Sequence, residues 1–552
     1  MHRHGHTVAP PAPSRNSTRR RPDTCRQRIT PVNSPTTSPA TTRLPAVRAA
    51  ITGVIAVIAA LGAGHLVAGL LLTPSASPFF AVGNAAVNRT PAAVKDFAIR
   101  NFGTNDKAAL LIGMAVVLVL VGALAGMASR RSAVPGLIVV VVMGAVGALA
   151  VGEHSTRPLG YLAPAAALVA GGGVFWGLHS LARPTATPDP TGRRRFLLGS
   201  LVAAVAAVAA GAGGFALARR VDVAASRQRV GALVPTTPAP AIPDGAAFPE
   251  LGTPTFLTPP ADFYRIDVNL EVPQLRAEDA TLRITGLVDE PLEFTFADIR
   301  AMPLVERTIT MTCVSNEVGG PYVSTANFIG VPLMDLLDRA GIQGAAQQVV
   351  GHSVDGFTLG TPLDMLRATG KQAMLVIGAN REALLPEHGF PMRTVVPGLY
   401  GYVSATKWLT ELELATYDVK PYWVQRGWDG QPPGVVPIKI SSRIDAPKAF
   451  QQVSGPVTVA GTAWAQGRGI SRVELRFDDG PWQPAELSTE VNANTWRMFK
   501  LTTTLPAGQH TVTSRAFDGT GAMQAQERLR LLNPGPVPDG STGWQSMIFT
   551  VA

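Results

Sequence analysis

Cysteine and charged residues are both scarce in this chain of 552 residues. It has two cysteines, Cys25 and Cys313, and it lacks the Cys-x-x-Cys-His motif, which excludes covalent attachment of a c-type haem. Charged residues make up 16% of the chain and hydrophobic residues 46%, a balance that argues against a wholly soluble protein.

Acidic residues are especially few in the first part of the chain. Residues 1–219 contain 21 Lys and Arg against 5 Asp and Glu, whereas residues 220–552 contain 27 against 33. The basic excess therefore belongs to the first part alone, where it is typical of segments that flank membrane spans. It gives no support to nucleic-acid binding.

The first part also contains the long apolar runs. Residues 1–46 are rich in Arg, Pro, Ser and Thr, and we expect them to form a disordered cytoplasmic tail. Basic residues flank the first run on its amino-terminal side, which predicts that the amino terminus is inside the cell. Five crossings of the cell membrane would then leave everything after residue 219 outside. The five apolar stretches that approach the length of a membrane span, all within 47–218, are 47–72, 108–128, 134–151, 159–182 and 196–218.

Two segments adjoin the fifth apolar stretch. Three arginines followed by apolar residues, at 193–197, resemble a twin-arginine export signal, with an ordinary basic membrane flank as the alternative. Residues 219–255, rich in Pro, Ala and Thr, are expected to be a linker that lifts the following part off the bilayer. With Cys25 inside and Cys313 outside, the two thiols cannot form a disulfide within one chain.

Cys313 lies in the most informative stretch of the second part. Ile309, Met311 and Cys313 alternate with threonines, which predicts a strand with one apolar face over 307–313. Glycines and a proline then predict a loop over 316–321. A lone cysteine is more often a small buried residue than a ligand. A single unpaired thiol in an exported domain is nevertheless open to oxidation, and coordination to a soft metal would remove that liability.

The residues around this cysteine resemble a known family. Residues 312–316 (TCVSN) are similar to the cysteine loop of the sulfite oxidase family of molybdopterin enzymes. The resemblance covers residues 256–552 and implies a membrane-anchored bacterial type of that family. Other runs that resemble the family, in the same order, are 263–267 (FYRID), 388–393 (HGFPMR), 395–398 (VVPG) and 407–408 (KW).

The residue patterns and the resemblance together imply a multi-domain fold. An all-α transmembrane part of five helices comes first, and residues 256–440 form an α+β molybdopterin-binding domain of the sulfite-oxidase fold. Residues 441–552 are expected to form an immunoglobulin-like β-sandwich, a domain that the family often uses for dimerisation. The short alternating strands that predict this sandwich are 457–464, 472–477, 495–503 and 510–516.

The resemblance also implies a cofactor and the residues that hold it. The cofactor would be a molybdenum–pyranopterin, with Cys313 as the thiolate ligand to the metal. Arg393 and Lys407 match positions beside the pterin phosphate, and His388 matches another pterin contact. The family often has histidine where this chain has Asp267. The remaining implied contacts are Phe263, Tyr264, Arg265, Ile266, Asp267, Asp355, Ala405 and Thr406.

The implied reaction is two-electron oxygen-atom transfer with a small-molecule donor or acceptor, and four residues are implied in it: Cys313, Arg265, Trp428 and Glu317. The family's sulfite oxidases have arginines after the asparagine of the cysteine loop and a tyrosine downstream of the Lys-Trp pair. This chain has Glu317 and Trp428 there. A carboxylate facing the metal and an apolar wall predict weak sulfite oxidation and better reduction of neutral oxides.

Two other functions remain open. The same cofactor serves an S-oxide or N-oxide reductase, for instance of methionine sulfoxide, and a cofactor-free membrane receptor or binding scaffold is an alternative from another class. His65 and His179 fall at different depths of the predicted spans, so no haem is expected in this chain. The predicted partners are therefore membrane lipid and a separate electron-transfer protein, either a cytochrome or a quinone-linked protein. A homodimer is allowed, and nucleic acid is excluded.

Overall fold

The computed structural model describes most of the chain in ten ranges. Most of the predicted tail, with Cys25, lies outside the described residues. The described ranges are 43–71, 74–90, 94, 106–154, 158–183, 190–218, 221–268, 270–428, 437–528 and 540–552.

Helices dominate the described residues before 219. All of them except α2 are long and apolar enough to cross a membrane, in agreement with the five predicted stretches. The helices are α1 Ala46–Leu70, α2 Pro78–Arg89, α3 Asp106–Ala128, α4 Val134–His154, α5 Leu162–Ala182 and α6 Pro190–Ala218.

α1 is the central helix of this bundle, because small residues let its neighbours approach its backbone. A Cβ atom on Gly53 would lie 1.8 Å from the carbonyl oxygen of Gly122 in α3. One on Gly62 would lie 2.2 Å from the carbonyl oxygen of Ala207 in α6. α1 also packs along α5. Close contact between small residues is the usual way in which helices pack in lipid.

The short helix α2, which the hydropathy pattern did not predict, lies beside the domain that follows the bundle. Oδ1 of its Asn84 accepts a hydrogen bond of 3.0 Å from the backbone N–H of Leu270. The other end of the bundle is marked by the backbone N–H of Leu44, which donates to the carbonyl of Arg130 at 2.8 Å. The second part of the chain therefore lies at the α2 end of the bundle.

An α+β domain follows the bundle. Its helices are α7 Val223–Val230, α8 Phe296–Ala301, α9 Leu333–Ala340, α10 Leu363–Ala368 and α11 Gly401–Ser404. Its strands are β1 Thr281–Gly286, β2 Leu292–Thr295, β3 Val305–Thr312, β4 Val323–Pro332, β5 Gln348–Ser353, β6 Thr358–Pro362, β7 Met374–Ala379, β8 Glu382–Ala383, β9 Arg393–Val395 and β10 Leu409–Ala415.

These strands form two sheets that share one apolar core. The first has the order β2-β1-β10-β5-β6, with β1 parallel to β10, and the second has the order β3-β4-β7-β8, with β9 also paired to β7. α9 shows why the helices lie where they do. Its Leu333, Leu336 and Leu337 are buried on one face at helical spacing, and Gly341 ends it at a positive φ of 71°.

The last part of the chain is a β-sandwich, as predicted. Its sheets have the orders β11-β13-β17-β16 and β12-β19-β18-β14-β15, and apolar side chains such as Val473, Phe499 and Phe549 fill the space between them. The strands are β11 Ser441–Ala446, β12 Gln452–Val453, β13 Val457–Trp464, β14 Ile470–Phe477, β15 Trp482–Pro484, β16 Glu486–Leu487, β17 Arg497–Thr503, β18 Gly508–Asp518 and β19 Gln545–Val551.

The segment after the bundle differs from the expected linker. Val223, Val230 and Leu233 are buried in the core of the α+β domain. Thr237 forms a parallel β-bridge with Val305 at the start of β3. Composition predicted a linker because Pro and Ala are abundant in this segment, but its larger apolar residues are buried in the core. The first half of the described segment, residues 221–237, therefore belongs to the α+β domain.

Candidate active site

A cavity of about 520 Å³ opens between the two sheets of the α+β domain, the aromatic segment after β10 and helix α2 of the bundle. Most residues predicted from the sequence line it. These are Phe263, Tyr264, Ile266, Asp267, Cys313, Asp355, His388, Arg393, Ala405, Lys407 and Trp428. Residues that are far apart in the sequence therefore meet around one space.

Cys313 reaches the cavity because it is the first residue after β3. Its backbone N–H donates to the carbonyl of Tyr322 at 3.0 Å, and Oδ1 of Asn316 accepts from the backbone N–H of Tyr322 at 2.8 Å, which closes the loop. Its Sγ lies 2.9 Å from Oγ of Ser315. Burial raises the pKa of the thiol, an effect that the hydrogen bonds from Ser315 partly offset.

The β-sandwich holds the strand that delivers this cysteine. The alternating pattern predicted one apolar face on β3, and the threonines on its other face are buried as well. Oγ1 of Thr310 accepts from the backbone N–H of Trp496 at 2.8 Å. Nε2 of Gln466 donates to the carbonyl of Thr310 and to Oγ1 of Thr312, at 3.1 and 3.0 Å. Both faces of β3 are therefore fixed.

Arg393 places a cation at the cavity wall with only 5% of its surface exposed. Its Nη1 donates to the carbonyl of His388 at 3.1 Å. Burial lowers the pKa of Arg393 to about 10, which leaves the guanidinium charged at neutral pH. Burial and the charge of Arg393 lower the pKa of His388 to about 4, so this imidazole is neutral there.

Lys407 adds a second buried cation. Its Nζ donates to the carbonyl of Glu387 at 3.0 Å and pairs with the carboxylate of Asp267. Burial, together with the positive charges of Arg265 and Lys107, lowers the pKa of Lys407, while contact with Asp267 favours the charged form. Arg265 lies beside this pair and outside the cavity lining. Its side chain is 40% exposed and donates to Asp267.

Aromatic rings form the wall around Trp428. Its ring stacks on that of Trp423 at 4.0 Å between centroids, and it meets Tyr402 edge-on at 5.3 Å. Phe263 meets the imidazole of His388 edge-on at 5.4 Å on another part of the lining. Offset stacks and edge-on contacts of this kind are favoured arrangements of buried rings.

Three predicted residues do not line the cavity. Thr406 is buried behind it, where its backbone N–H donates to Oγ1 of Thr394 at 2.9 Å. Arg265 lies at its edge, as described above. Glu317 is exposed and outside the lining, because the loop turns at this position and carries its side chain to the surface. The expectation that a carboxylate faces a metal here is therefore wrong.

Several lining residues were missed by the sequence analysis. Tyr402, Trp423, Ser353 and Phe357 come from the α+β domain, and Asn88 comes from α2 of the bundle. An aromatic-rich run at 422–428 was a usable signal for Trp423. No sequence pattern links α2 to a cavity hundreds of residues away along the chain.

The lining fits an anionic, metal-binding cofactor. Within the described ranges, Arg393 has carbonyl oxygens as its hydrogen-bond partners and no carboxylate at ion-pair distance. Oγ of Ser353 is buried without a hydrogen-bond partner in the same ranges. No three His, Cys, Asp or Glu side chains converge among the described residues, so a metal beside Cys313 would need ligands from the cofactor itself.

Comparison with known proteins agrees with this geometry. A family model described as "Oxidoreductase molybdopterin binding domain" matches residues 269–423, and one described as "Bacterial Ig domain" matches residues 441–513. Human mitochondrial sulfite oxidase is 30% identical over 304 residues, which cover 47% of this chain and 55% of that protein. The chain thus spans about half the length of the curated sulfite oxidases it matches.

Two further proteins are similar to this chain. The uncharacterized oxidoreductase YuiH of Bacillus subtilis is 34% identical over 154 residues, which cover 27% of this chain and 74% of that protein. The crystal structure of the sulfane dehydrogenase SoxCD from Paracoccus pantotrophus aligns with a TM-score of 0.47 and 22% identity, over 56% of this chain and 88% of that one.

The chain is therefore an oxidoreductase with a molybdopterin-binding domain. It belongs to the sulfite oxidase family of molybdopterin-dependent oxidoreductases, a membership that implies a molybdenum–molybdopterin cofactor.

Proposed function

We propose that this chain is a membrane-anchored oxidoreductase that catalyses two-electron oxygen-atom transfer at a molybdenum centre on the outer side of the membrane. The observation that carries the proposal is the position of Cys313, Arg393 and Lys407 around one cavity. Residues 256–440 are the proposed catalytic domain, and residues 441–552 are the proposed immunoglobulin-like domain.

Each of these side chains has a role that follows from its surroundings. Cys313 would supply a thiolate to the metal, and coordination to a cation would offset the effect of burial on the thiol pKa. Arg393 and Lys407 supply the fixed positive charge that a pterin phosphate requires in a buried site. His388, neutral at physiological pH, offers a ring nitrogen as a hydrogen-bonding group rather than a third cation.

The bound metal would store the two electrons exchanged in the reaction. The chain's own residues then choose and orient the substrate. Trp423, Trp428 and Tyr402 present ring surfaces to the cavity, which exclude water and favour a substrate with an apolar part. Arg426 lies at the same wall and stacks on the ring of Tyr422 at 3.4 Å, so a cation is available to a polar oxygen.

A second candidate function is the reduction of S-oxides or N-oxides with the same cofactor, and the aromatic wall favours it. Repulsion by Glu317 does not support this candidate, because that carboxylate lies outside the cavity. Steady-state kcat/KM for sulfite, with ferricyanide as acceptor, and for methionine sulfoxide, with reduced methyl viologen as donor, would choose between the two directions.

Electrons must then be exchanged with another protein. His65 lies near Phe80 and Phe215 at the α2 end of the bundle, whereas Nε2 of His179 bonds the carbonyl of Ser129 at the other end. These two histidines cannot bind one haem from positions so far apart. A separate cytochrome or quinone-linked protein is therefore the proposed electron partner.

Replacement of Cys313 by serine tests the proposal directly. The full-length protein, purified in detergent, should contain one molybdenum and one pterin per chain. The Cys313→Ser variant should fold normally and lose turnover by at least about 100-fold, since a metal without its thiolate has altered electronics. Cys25→Ser is the matched control and should leave metal content and turnover unchanged. Full activity in Cys313→Ser, or wild-type protein without molybdenum, would overturn the assignment.

A further inference from the structure

Helix α2 of the bundle contributes to the lining of the catalytic cavity. Asn88 and Thr90, at the end of this helix and just after it, line the same space as Cys313 and Trp428. These residues come from a segment between two helices of membrane-spanning length, far from the molybdopterin-binding domain in the sequence.

Asn88 also makes a specific contact with the aromatic wall. The hydroxyl of Tyr422 donates a hydrogen bond to Oδ1 of Asn88. The Tyr422 ring meets Phe357 at 5.1 Å and Trp423 edge-on at 5.1 Å between centroids. Trp423 in turn stacks on Trp428. The Asn88 amide is therefore connected, through one hydrogen bond and two ring contacts, to the rings that face the substrate space.

α2 also contacts the α+β domain at Leu270, away from the cavity. Oδ1 of Asn84, one turn before Asn88, accepts a hydrogen bond from the backbone N–H of Leu270. The absence of a side chain on Gly83 lets Leu270 approach, since a Cβ atom there would lie 2.7 Å from Cδ1 of that leucine. Asn84 and Gly83 do not belong to the cavity lining. α2 thus has a second point of contact with the domain, one that is separate from the cavity.

We propose that Asn88 is a positioning and substrate-specificity residue, supplied to the catalytic cavity by the membrane bundle. Through the hydroxyl of Tyr422 it sets the position of the Trp423–Trp428 wall, and it lines the space where an uncharged oxide with an apolar substituent would bind. This inference rests on the proposed function, because it concerns the substrate of the same molybdenum centre.

Kinetics on full-length variants test the inference, with methionine sulfoxide as substrate and reduced methyl viologen as donor. Asn88→Ala and Tyr422→Phe should each raise KM about three- to tenfold, the range that one neutral hydrogen bond gives, with kcat changed less than about twofold. The double variant should be no worse than either single one, since both remove the same bond. Asn84→Ala is the matched control, and it should lower thermal stability without changing KM.

A second measurement reports on the position of residue 88 without turnover. In an Asn88→Cys variant on a Cys25→Ser background, maleimide labelling at residue 88, quantified by peptide mass spectrometry, should slow about fivefold when the cofactor fills the shared cavity. Protein made in cells without molybdopterin gives the reference rate. Leu159→Cys, at an exposed site between α4 and α5, should label at one rate in both preparations.

The outcomes separate this inference from the proposed function. If the wild-type protein binds molybdenum and pterin but Asn88→Ala leaves KM unchanged, or Asn84→Ala raises it equally, the inference is overturned and the proposed function stands. Equal labelling of the Asn88→Cys variant at residue 88 in both preparations also overturns it. If the wild-type protein binds no cofactor, both fall together.

Discussion

Glu271 is a carboxylic acid that the fold removes from water. It follows the short segment through which the α+β domain contacts α2, and its Oε2 is buried without a hydrogen-bond partner in the described ranges. Burial raises the pKa of Glu271 to about 7, so the folded protein favours the protonated form.

The pH dependence of stability follows from that shift. Since the unfolded carboxyl ionises at lower pH, its contribution to stability is lost as pH rises from about 4.5 through about 7. Glu271→Gln should therefore stabilise the protein by about 1–3 kcal/mol near pH 8 and have little effect near pH 4. Thermal unfolding in detergent measures this, with the exposed Glu250→Gln as control. A variant less stable than the wild type at the higher pH would contradict the burial argument.

At the scale of single residues, the sequence predicted most of the lining but not its orientation. Cys313, Arg393 and Lys407 could be placed at one site because their motifs follow one another in the family's order. Glu317 was misplaced, since a loop position does not reveal which way the side chain turns. The direction of a loop side chain depends on the path of the loop, here closed by the hydrogen bond from the backbone N–H of Tyr322 to Oδ1 of Asn316.

At the scale of secondary-structure elements, the sequence predicted those in which one apolar face gives a regular alternation of apolar and polar residues. The sequence predicted β13 at 457–464, the range that the structure shows. β3 was predicted as a strand, but burial of its threonine face depends on Gln466 and Trp496 of the sandwich. α2 was missed because twelve residues with moderate apolar content have no signal of their own.

Packing of α1 against α3 yields a prediction at this scale. Alanine at position 53 would place its methyl group 1.8 Å from the carbonyl oxygen of Gly122, a backbone atom that cannot move without shifting the helix. Gly53→Ala should destabilise the bundle by about 1–3 kcal/mol, although alanine is the better helix former. Its matched control is Gly113→Ala on α3, where nothing lies within 4 Å of the added atom.

The measurement is the thermal midpoint of unfolding and aggregation of both variants in detergent. A lower midpoint is expected for Gly53→Ala, and an unchanged or slightly higher one for Gly113→Ala. Equal midpoints would mean that the two helices do not rely on this contact.

At the scale of the whole molecule, the predicted membrane topology can be compared with the positions of the bundle's loops, because the cavity lies at one end of the helix bundle. α2 contacts the α+β domain, whereas the Arg130 and Ser129 region meets the start of α1 at the other end. Five spans with the amino terminus inside satisfy this arrangement. Membrane insertion itself remains a prediction.

Reporter fusions test that topology. A reporter after residue 220 should give an external signal, and one between α3 and α4 an internal signal. Changing Arg193 and Arg194 to lysine should lower export severalfold if the twin-arginine route is used, because the paired guanidinium groups are what that route reads. An internal signal after residue 220 in the unaltered protein would contradict the proposed orientation.

The contacts on β3 also determine when the catalytic cavity can be completed during synthesis. The strand before Cys313 takes hydrogen bonds from Gln466 and Trp496, and the far wall of the cavity includes Asn88. Pairings so distant in the chain form late, because a long loop must close before any of them contributes. When residue 313 leaves the ribosome, Gln466 and Trp496, which hold the strand before it, have therefore not yet been synthesised. We therefore expect the cofactor to bind after translation, when the helix bundle that supplies Asn88 and the β-sandwich that supplies Gln466 and Trp496 have both folded.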